Sequence, residues 1–171
     1  MLATRAAKSY RGNTPFIVRH LKRNTIVVGD GGLTMLMGEI AALVKYKLPV
    51  KVIVIKNNVL GQIKWEQMVL DANPEFGVKL QPIDFAKFAG ACGATGFTIE
   101  DPKDAQSTLK IALENDGPAV IQAVVDANVR PLPGSISAKQ ALHFAEAIAR
   151  GERDRGDILK TFAVERIREV V

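Results

Sequence analysis

The sequence predicts an α/β fold of three layers, in which a mostly parallel sheet carries helices on both faces. Short β-branched runs alternate with segments of helical period along most of the chain. The run Val50–Ile55 is rich in Val and Ile, as in a strand that is covered on both sides. Alternation of strands and helices is typical of parallel sheets, because a helix forms each crossover connection.

The first half of this pattern contains two strands and two helices. Thr25–Val28 is predicted as a buried strand that ends at the turn Gly29-Asp30-Gly31-Gly32. Apolar residues then recur at helical spacing over Leu33–Tyr46, and a proline closes that helix. Val50–Ile55 is the second strand, and Leu60–Leu70 is predicted as a short helix.

The second half continues the alternation. Prolines and a glycine mark residues 71–82 as a loop. Asp84 is predicted to cap a helix through Ala91, and Asp101-Pro102 opens a helix through Glu114. The other predicted elements are strands Gly96–Ile99 and Ala119–Val125, an extended segment 128–135, a helix from Ser137 to Arg150 and a final amphipathic helix Asp157–Val170.

Length and charge predict one folded domain between two short flanking segments. We assign 1–24 as a basic leader that is divergent or non-native, 25–151 as the domain and 152–171 as a C-terminal amphipathic tail. The leader has six basic and no acidic side chains, whereas 17 basic and 18 acidic side chains follow it. The net charge of +5 therefore belongs to the leader, for which a presequence or a nucleic-acid arm are weaker alternatives. We expect no nucleic-acid partner for the domain.

Cysteine content and hydropathy bear on the compartment. The single cysteine, Cys92, excludes an internal disulfide and fits a reducing compartment. No apolar run reaches the roughly 18 residues that span a bilayer. We therefore expect a cytoplasmic location.

Two polar turns follow neighbouring predicted strands and suggest a metal site beside a phosphate cradle. Asp30 lies between glycines, and Asn57 comes 27 residues later, directly after the second strand. Gly31 and Gly32 let the backbone approach a phosphate closely. A carboxylate beside a diphosphate requires a cation between them, and Mg²⁺ prefers such oxygen ligands. Local chemistry leaves an alternative open, in which Asp30 only caps a helix and Asn57 only makes a turn.

These segments resemble the thiamine-diphosphate motif. The string from Gly29 to Asp101 is similar to the C-terminal domain of pyruvate oxidase and quinone-dependent pyruvate dehydrogenase. Acetolactate synthase is the next most similar. The resemblance covers roughly residues 25–151. It rests on Gly-Asp-Gly-Gly-Leu-Thr-Met-Leu-Met-Gly (29–38), Asn-Asn (57–58), Lys-Leu-Pro-Val-Lys-Val (47–52) and Asp-Phe-Ala-Lys-Phe-Ala (84–89).

The resemblance implies thiamine diphosphate and Mg²⁺ as cofactors and gives roles to particular residues. Mg²⁺ would be bound by Asp30, by the side chain of Asn57 and by the carbonyl of Val59. Glu66 would be the catalytic acid that faces the substrate carbons, although a solvated helix carboxylate is an equal alternative. The further cofactor-binding residues would be Gly29, Gly31, Gly32, Met35, Leu60 and Gly61.

The resemblance also implies a function and partners. The chain would be the diphosphate-binding domain of an enzyme that oxidatively decarboxylates pyruvate or a similar 2-oxo acid, in a homodimer or higher oligomer. A pyrimidine-binding domain and an FAD domain would lie outside these 171 residues, so we expect no turnover by the isolated chain. The alternatives are an acetolactate-synthase-like carboligase domain and a non-catalytic module that retains the fold.

Three features limit or extend this interpretation. Residues 1–24 do not resemble the segment that precedes the motif in the family. Gln62 stands where the family often has an aromatic residue near the flavin. Trp65 and His143 are interpreted as packing residues. The final helix is expected to pack on its own domain, with contact to an inner membrane surface as the weaker alternative.

Overall fold

A computed structural model describes residues 24–129 and 137–161 of the chain. The described residues form two compact units. The first contains the residues up to Asn58 together with Gln81–Val125, and the second contains Val59–Leu80 and the residues from Asp126 onward. The elements in chain order are β1 (Thr25–Gly29), α1 (Asp30–Thr34), α2 (Glu39–Lys45), β2 (Lys51–Lys56), α3 (Gly61–Val69), α4 (Phe85–Ala91), β3 (Thr95–Ile99), a 3₁₀ turn (Pro102–Asp104), α5 (Ala105–Glu114), β4 (Ala119–Val124) and α6 (Ala138–Ala149).

The first unit is built on a four-stranded sheet in the order β1-β2-β4-β3. All three pairings are parallel, so the carboxyl ends of the strands lie along one edge. At that edge Gly29 of β1 pairs with Ile55 of β2, which pairs with Ala123 of β4. This register brings the turns that follow β1 and β2 side by side.

Helices cover both faces of this sheet because its strand residues alternate between two clusters. Val52, Val54 and Val120 pack with residues of α1, α2 and α4 on one face. Ile53 and Ile121, which are adjacent to them in sequence, pack with Leu109 and Ala112 of α5 and with Ile99 of β3 on the other. The predicted α/β fold with a parallel sheet and helices on both faces is confirmed.

The predicted helix Leu33–Tyr46 is wrong in its extent. The structure has two short helices, α1 beginning at Asp30 and α2 beginning at Glu39, with hydrogen-bonded turns over residues 35–38. In these turns Leu36 N–H donates to Leu33 O and Glu39 N–H to Leu36 O, both three residues back. Gly38, a weak helix former, lies at the break.

The predicted helix caps are confirmed. Asp84 accepts a hydrogen bond from Lys87 N at 3.0 Å, and Asp101 accepts one from Lys103 N at 2.9 Å. Ser137 forms a reciprocal capping box at the start of α6.

Some expectations fall partly or wholly outside the described residues. Of the predicted leader, only Asn24 is among the described residues. Of the extended segment 128–135, only residues 128–129 are described. Of the predicted final helix, residues 157–161 are described and are helical.

The second unit has a separate core centred on Trp65 and Met68 of α3. Both side chains are fully buried and pack with Ala147 of α6 and with Ile158. The Trp65 ring stacks on Phe144, with the ring centroids 5.8 Å apart.

Across the described ranges, we find no helix that combines the length and the apolar character needed to cross a membrane.

Candidate functional site

The carboxylate of Asp30 joins the turns after β1 and β2. Asp30 is the first residue of α1 and only 4% exposed. One of its oxygens accepts a hydrogen bond from Gly31 N at 2.9 Å. The other accepts from Asn57 N at 3.0 Å and from Asn58 N at 2.6 Å. The structure thus brings the two predicted segments together at the carboxyl end of the sheet, where ligands bind in α/β folds.

The backbone of the second turn is shaped for this contact. Asn58 has a φ of 57°, in the left-handed region that asparagine tolerates better than most residues. Successive N–H groups of Asn57 and Asn58 consequently converge on one oxygen of Asp30. The asparagine pair therefore has a conformational reason as well as a chemical one.

These contacts disfavour the alternative in which Asp30 only caps a helix. The N-cap of α1 is Gly29, and the Asp30 carboxylate reaches residues 27 and 28 positions away. Among the residues that the structure describes, no lysine or arginine forms an ion pair with Asp30. Within the described part of the chain its charge is met by backbone N–H dipoles, which hold the carboxylate in place without neutralising it.

The donor set fits a hard divalent cation. A carboxylate offers about four lone pairs, and the three observed hydrogen bonds leave acceptor capacity on the oxygen that binds Gly31 N. Asn57, in the adjoining turn, has an amide oxygen of the kind that Mg²⁺ accepts. The residues predicted to bind a metal in the first unit therefore suit that role.

The glycines after Asp30 supply less of a phosphate cradle than the sequence suggested. Helix α1 has only five residues, so its dipole is small, and Gly31 N–H is directed to Asp30. Among the described residues, a methyl group added at Gly29 would meet no atom within 4 Å, whereas at Gly32 it would approach Val28 Cγ2 at 3.1 Å. The open space lies beside Gly29.

Met35 lies on the surface of the first unit. It belongs to the turn after α1 and is 78% exposed. Its neighbour Leu36 is 69% exposed. A methionine at helical spacing usually fills a core, so this exposure agrees with the role expected from the family resemblance better than with packing.

The remaining predicted binding residues belong to the second unit. Val59 is buried, forms an antiparallel bridge with Lys79, and its carbonyl accepts from Gly61 N at 2.9 Å. Leu60 is the N-cap of α3, and its N–H donates to Val78 O. These hydrogen bonds fix the backbone at the start of α3. The predicted binding roles of Val59, Leu60 and Gly61 stay predictions.

Helix α3 separates a buried face from an exposed one. Lys64 and Trp65 are on the buried face, whereas Gln62 and Glu66 are exposed. Gln62 Nε2 donates to Glu66 Oε1 at 2.9 Å, one helical turn away. Gln62, the residue that differs from the family, is therefore hydrogen-bonded to Glu66, the predicted catalytic acid. The catalytic role of Glu66 stays a prediction.

The residues interpreted as packing are placed accordingly. Trp65 lies in the core of the second unit. His143 of α6 is half-buried, and Cys92 is packed against the core of the first unit.

Sequence reasoning missed a group of charged residues in the second unit. Lys64, Glu75, Glu152 and Asp154 are brought together there, with Lys64 and Glu152 almost fully buried. Hydrogen bonding to Glu75, followed by attraction to Glu75 and Asp154, raises the pKa of Lys79. The one available signal was the position of Lys64, which shares its helix face with Trp65 and Met68.

A family model and several relatives match the chain. The model of the thiamine pyrophosphate enzyme C-terminal TPP binding domain matches residues 17–123. The protein YdaP of Bacillus subtilis is 39% identical over 120 residues, which are 70% of this chain and 21% of that protein. Pyruvate oxidase of Lactiplantibacillus plantarum is 36% identical over 63% of this chain and 18% of its own. The large subunit of acetolactate synthase isozyme 3 of Escherichia coli is 31% identical over 64% of this chain and 20% of its own.

A solved structure supports the fold. A thiamine diphosphate-dependent 4-hydroxybenzoylformate decarboxylase of Rhodococcus jostii matches with a TM-score of 0.56 and 24% identity. The match covers 60% of this chain and 19% of that one. The chain therefore spans about a fifth of the length of the relatives it matches.

Proposed function

Because the chain belongs to the thiamine pyrophosphate enzyme family as a C-terminal TPP-binding domain, we propose that it binds the diphosphate end of the cofactor through Mg²⁺. Asp30 and the side chain of Asn57 supply metal ligands, and the carbonyl of Val59 supplies a third. Gly29, Gly31 and Gly32 contact the diphosphate. Met35, Leu60 and Gly61 line the remainder of the cofactor site.

One observation carries this proposal. The buried carboxylate of Asp30 is fixed by backbone N–H groups from two strand ends, and no cationic side chain of the described residues neutralises it. A carboxylate that is held in place and has no cationic side chain of the described residues to compensate it is suited to bind a metal cation that enters together with the diphosphate.

The reaction that we propose is decarboxylation of a 2-oxo acid. When bound, thiamine diphosphate supplies the nucleophilic carbon and the electron sink for this chemistry. The chain's own residues bind and orient: the turns after β1 and β2 fix the metal, and Glu66 presents a carboxyl group that can hold or release a proton beside the substrate. The hydrogen bond from Gln62 fixes the orientation of that carboxyl group.

Oxidative decarboxylation of pyruvate is our first choice of reaction. The resemblance of the motif to pyruvate oxidases and the 36% identity to one of them favour it. An acetolactate-synthase-like carboligase is the second candidate, and the polar Gln62 on the exposed face of α3 favours it. A non-catalytic module that retains the fold would not bind thiamine diphosphate, or would bind it without dependence on Mg²⁺.

The proposed enzyme needs more than this chain. The relatives match it over only about a fifth of their own length. We propose that a pyrimidine-binding domain and, in the oxidase case, an FAD domain complete the site within a cytoplasmic homodimer or higher oligomer. The chain alone should give no steady pyruvate decarboxylation with added thiamine diphosphate and Mg²⁺.

Calorimetry tests the binding proposal directly. Thiamine diphosphate should bind the chain in the presence of Mg²⁺ and not in its absence, and Asp30→Asn should abolish binding. Asp116→Asn, an exposed carboxylate in the same unit, is the matched control and should bind as the unmodified chain does. Binding that is independent of metal, or equal binding by both variants, would contradict the proposal.

A further inference from the structure

Lys64 is a buried cation that gathers three segments of the second unit. The residue lies on α3 and is fully buried. Its ammonium is 3.0 Å from Glu75 Oε2 in the loop after α3. It is also 3.2 Å from Asp154 Oδ2 and 3.2 Å from Asn128 Oδ1. The ammonium therefore donates hydrogen bonds to Asn128 and Asp154 and forms an ion pair with Glu75, and none of these partners lies on α3.

The partners of Lys64 are themselves fixed. The buried carboxylate of Glu152 accepts from Glu75 N at 2.7 Å and from Asp154 N at 3.4 Å. The second oxygen of Glu75 pairs with Lys79 at 3.1 Å. Although the three carboxylates lie close enough to hold a metal ion, the Lys64 ammonium already supplies a cation to two of them. The cluster is an ion-pair network rather than a metal site.

We propose that Lys64 is a positioning residue that anchors α3, and with it Gln62 and Glu66, to the loop after α3 and to the chain after Asp126. An ammonium in this environment is stable only while its partners surround it. Any movement of α3 away from them would leave the charge buried and unpaired. The anchoring itself needs no cofactor; only its benefit to Glu66 rests on the function proposed above.

The sole tryptophan allows a direct test. Trp65 is adjacent to Lys64 and stacks on Phe144, so its fluorescence reports whether α3 stays docked. We would measure this fluorescence and the hydrogen exchange of the full chain at neutral pH. The variants are Lys64→Met, Lys64→Arg and, as the control from an exposed ion pair, Lys160→Met.

The expected results separate anchoring from simple packing. Lys64→Met should speed exchange in Gly61–Val69 by about tenfold or more at neutral pH, because removing one partner of a buried ion pair is strongly destabilising. Exchange in Ala105–Glu114 of the first unit should not change. The Trp65 emission should change in Lys64→Met, be largely restored in Lys64→Arg and be unchanged in Lys160→Met.

Two outcomes would overturn the proposal. One is a Lys64→Met variant with the same exchange and the same Trp65 emission as the unmodified chain. The other applies if Lys64→Met does not fold. Glu75→Gln, which leaves the ammonium one carboxylate, should then still give a smaller increase in the exchange of Gly61–Val69, and no increase would overturn the proposal. Failure to bind thiamine diphosphate would sink the proposed function and leave the anchor intact, so the two failures can be told apart.

Discussion

The two units each bury a charge, and they treat it in opposite ways. In the first unit, Asp30 is met by the N–H groups of Gly31, Asn57 and Asn58. In the second unit, Lys64 is met by carboxylates. Backbone dipoles hold a charge in place without cancelling it, whereas opposite charges cancel it. The comparison teaches that burial alone does not mark a functional charge; what surrounds it does.

This difference assigns the two sites to different tasks. An uncancelled carboxylate at the carboxyl end of a parallel sheet can still attract a cation. A cancelled ammonium gains nothing from a ligand and loses much when its partners move. The first arrangement suits binding, and the second suits holding a helix in position.

The largest effect that we predict concerns the core beneath the Lys64 network. Trp65→Ala should lower the free energy of unfolding by about 3–5 kcal/mol, because it removes the largest buried side chain of the second unit. Denaturant unfolding followed by circular dichroism would measure it. Phe76→Ala is the control: this side chain is 85% exposed, and the change should stay within about 0.5 kcal/mol. Equal losses of stability in Trp65→Ala and Phe76→Ala would mean that the Lys64 network, and not the core around Trp65, holds the second unit together.

The next effect concerns the dipoles around Asp30. Asp30→Ala should destabilise the ligand-free chain by about 1–3 kcal/mol, because three N–H groups lose their acceptor. Thermal unfolding without metal or cofactor would measure this. Asp116→Ala removes an exposed carboxylate and should be almost neutral. An Asp30→Ala chain as stable as the unmodified one would mean that water replaces the carboxylate freely, and the comparison with Lys64 would fail.

The sequence was sufficient for the parts of this picture that depend on local pattern. Strand periodicity predicted the parallel sheet, and the caps at Asp84, Asp101 and Ser137 followed from local side-chain chemistry. The contact between Asp30 and the turn at residues 57–58 followed from parallel pairing, which aligns strand ends. These features involve neighbours in sequence or a single register.

Other features depend on contacts that no local pattern encodes. The helix predicted over 33–46 breaks at Gly38, although its apolar spacing continues through the break. Lys64 reads as a surface lysine until Glu75 and Asp154, which are 11 and 90 residues away, are brought to it. Burial of a charge is decided by such distant partners, so periodicity could mark the face of Lys64 but not its role.

A smaller, pH-dependent effect is predicted at the cap of α4. The backbone N–H of Lys87 is the main cause that lowers the pKa of Asp84, and its side chain adds to it. Because the folded pKa is depressed, the stabilisation is present above the ordinary carboxyl value of 3.8 and is lost as the pH falls through the folded value. Asp84→Ala should cost about 0.5–2 kcal/mol at neutral pH.

The pH profile and a conservative variant isolate the charge at this cap. The cost of Asp84→Ala should shrink in acid, when both chains lack the carboxylate. Asp84→Asn keeps a capping oxygen and should lose less stability, with a flatter pH dependence. Chemical denaturation at several pH values would measure both. A cost that does not change between neutral and acidic pH would show that the charge contributes nothing and that only the shape of the cap matters.

The smallest predicted effect on stability has the sharpest consequence for binding. Gly29→Ala should change the free energy of unfolding by no more than about 0.5 kcal/mol, because the added methyl group meets no atom within 4 Å and the backbone there is extended. If the open space beside Gly29 receives a phosphate, the same methyl group should weaken metal-dependent binding of thiamine diphosphate by about tenfold or more. Gly38→Ala is the matched control, since its methyl group would also meet open space away from the Asp30 turn. Equal affinities of the two variants would place the phosphate elsewhere, and the uncancelled charge of Asp30 would then need another explanation.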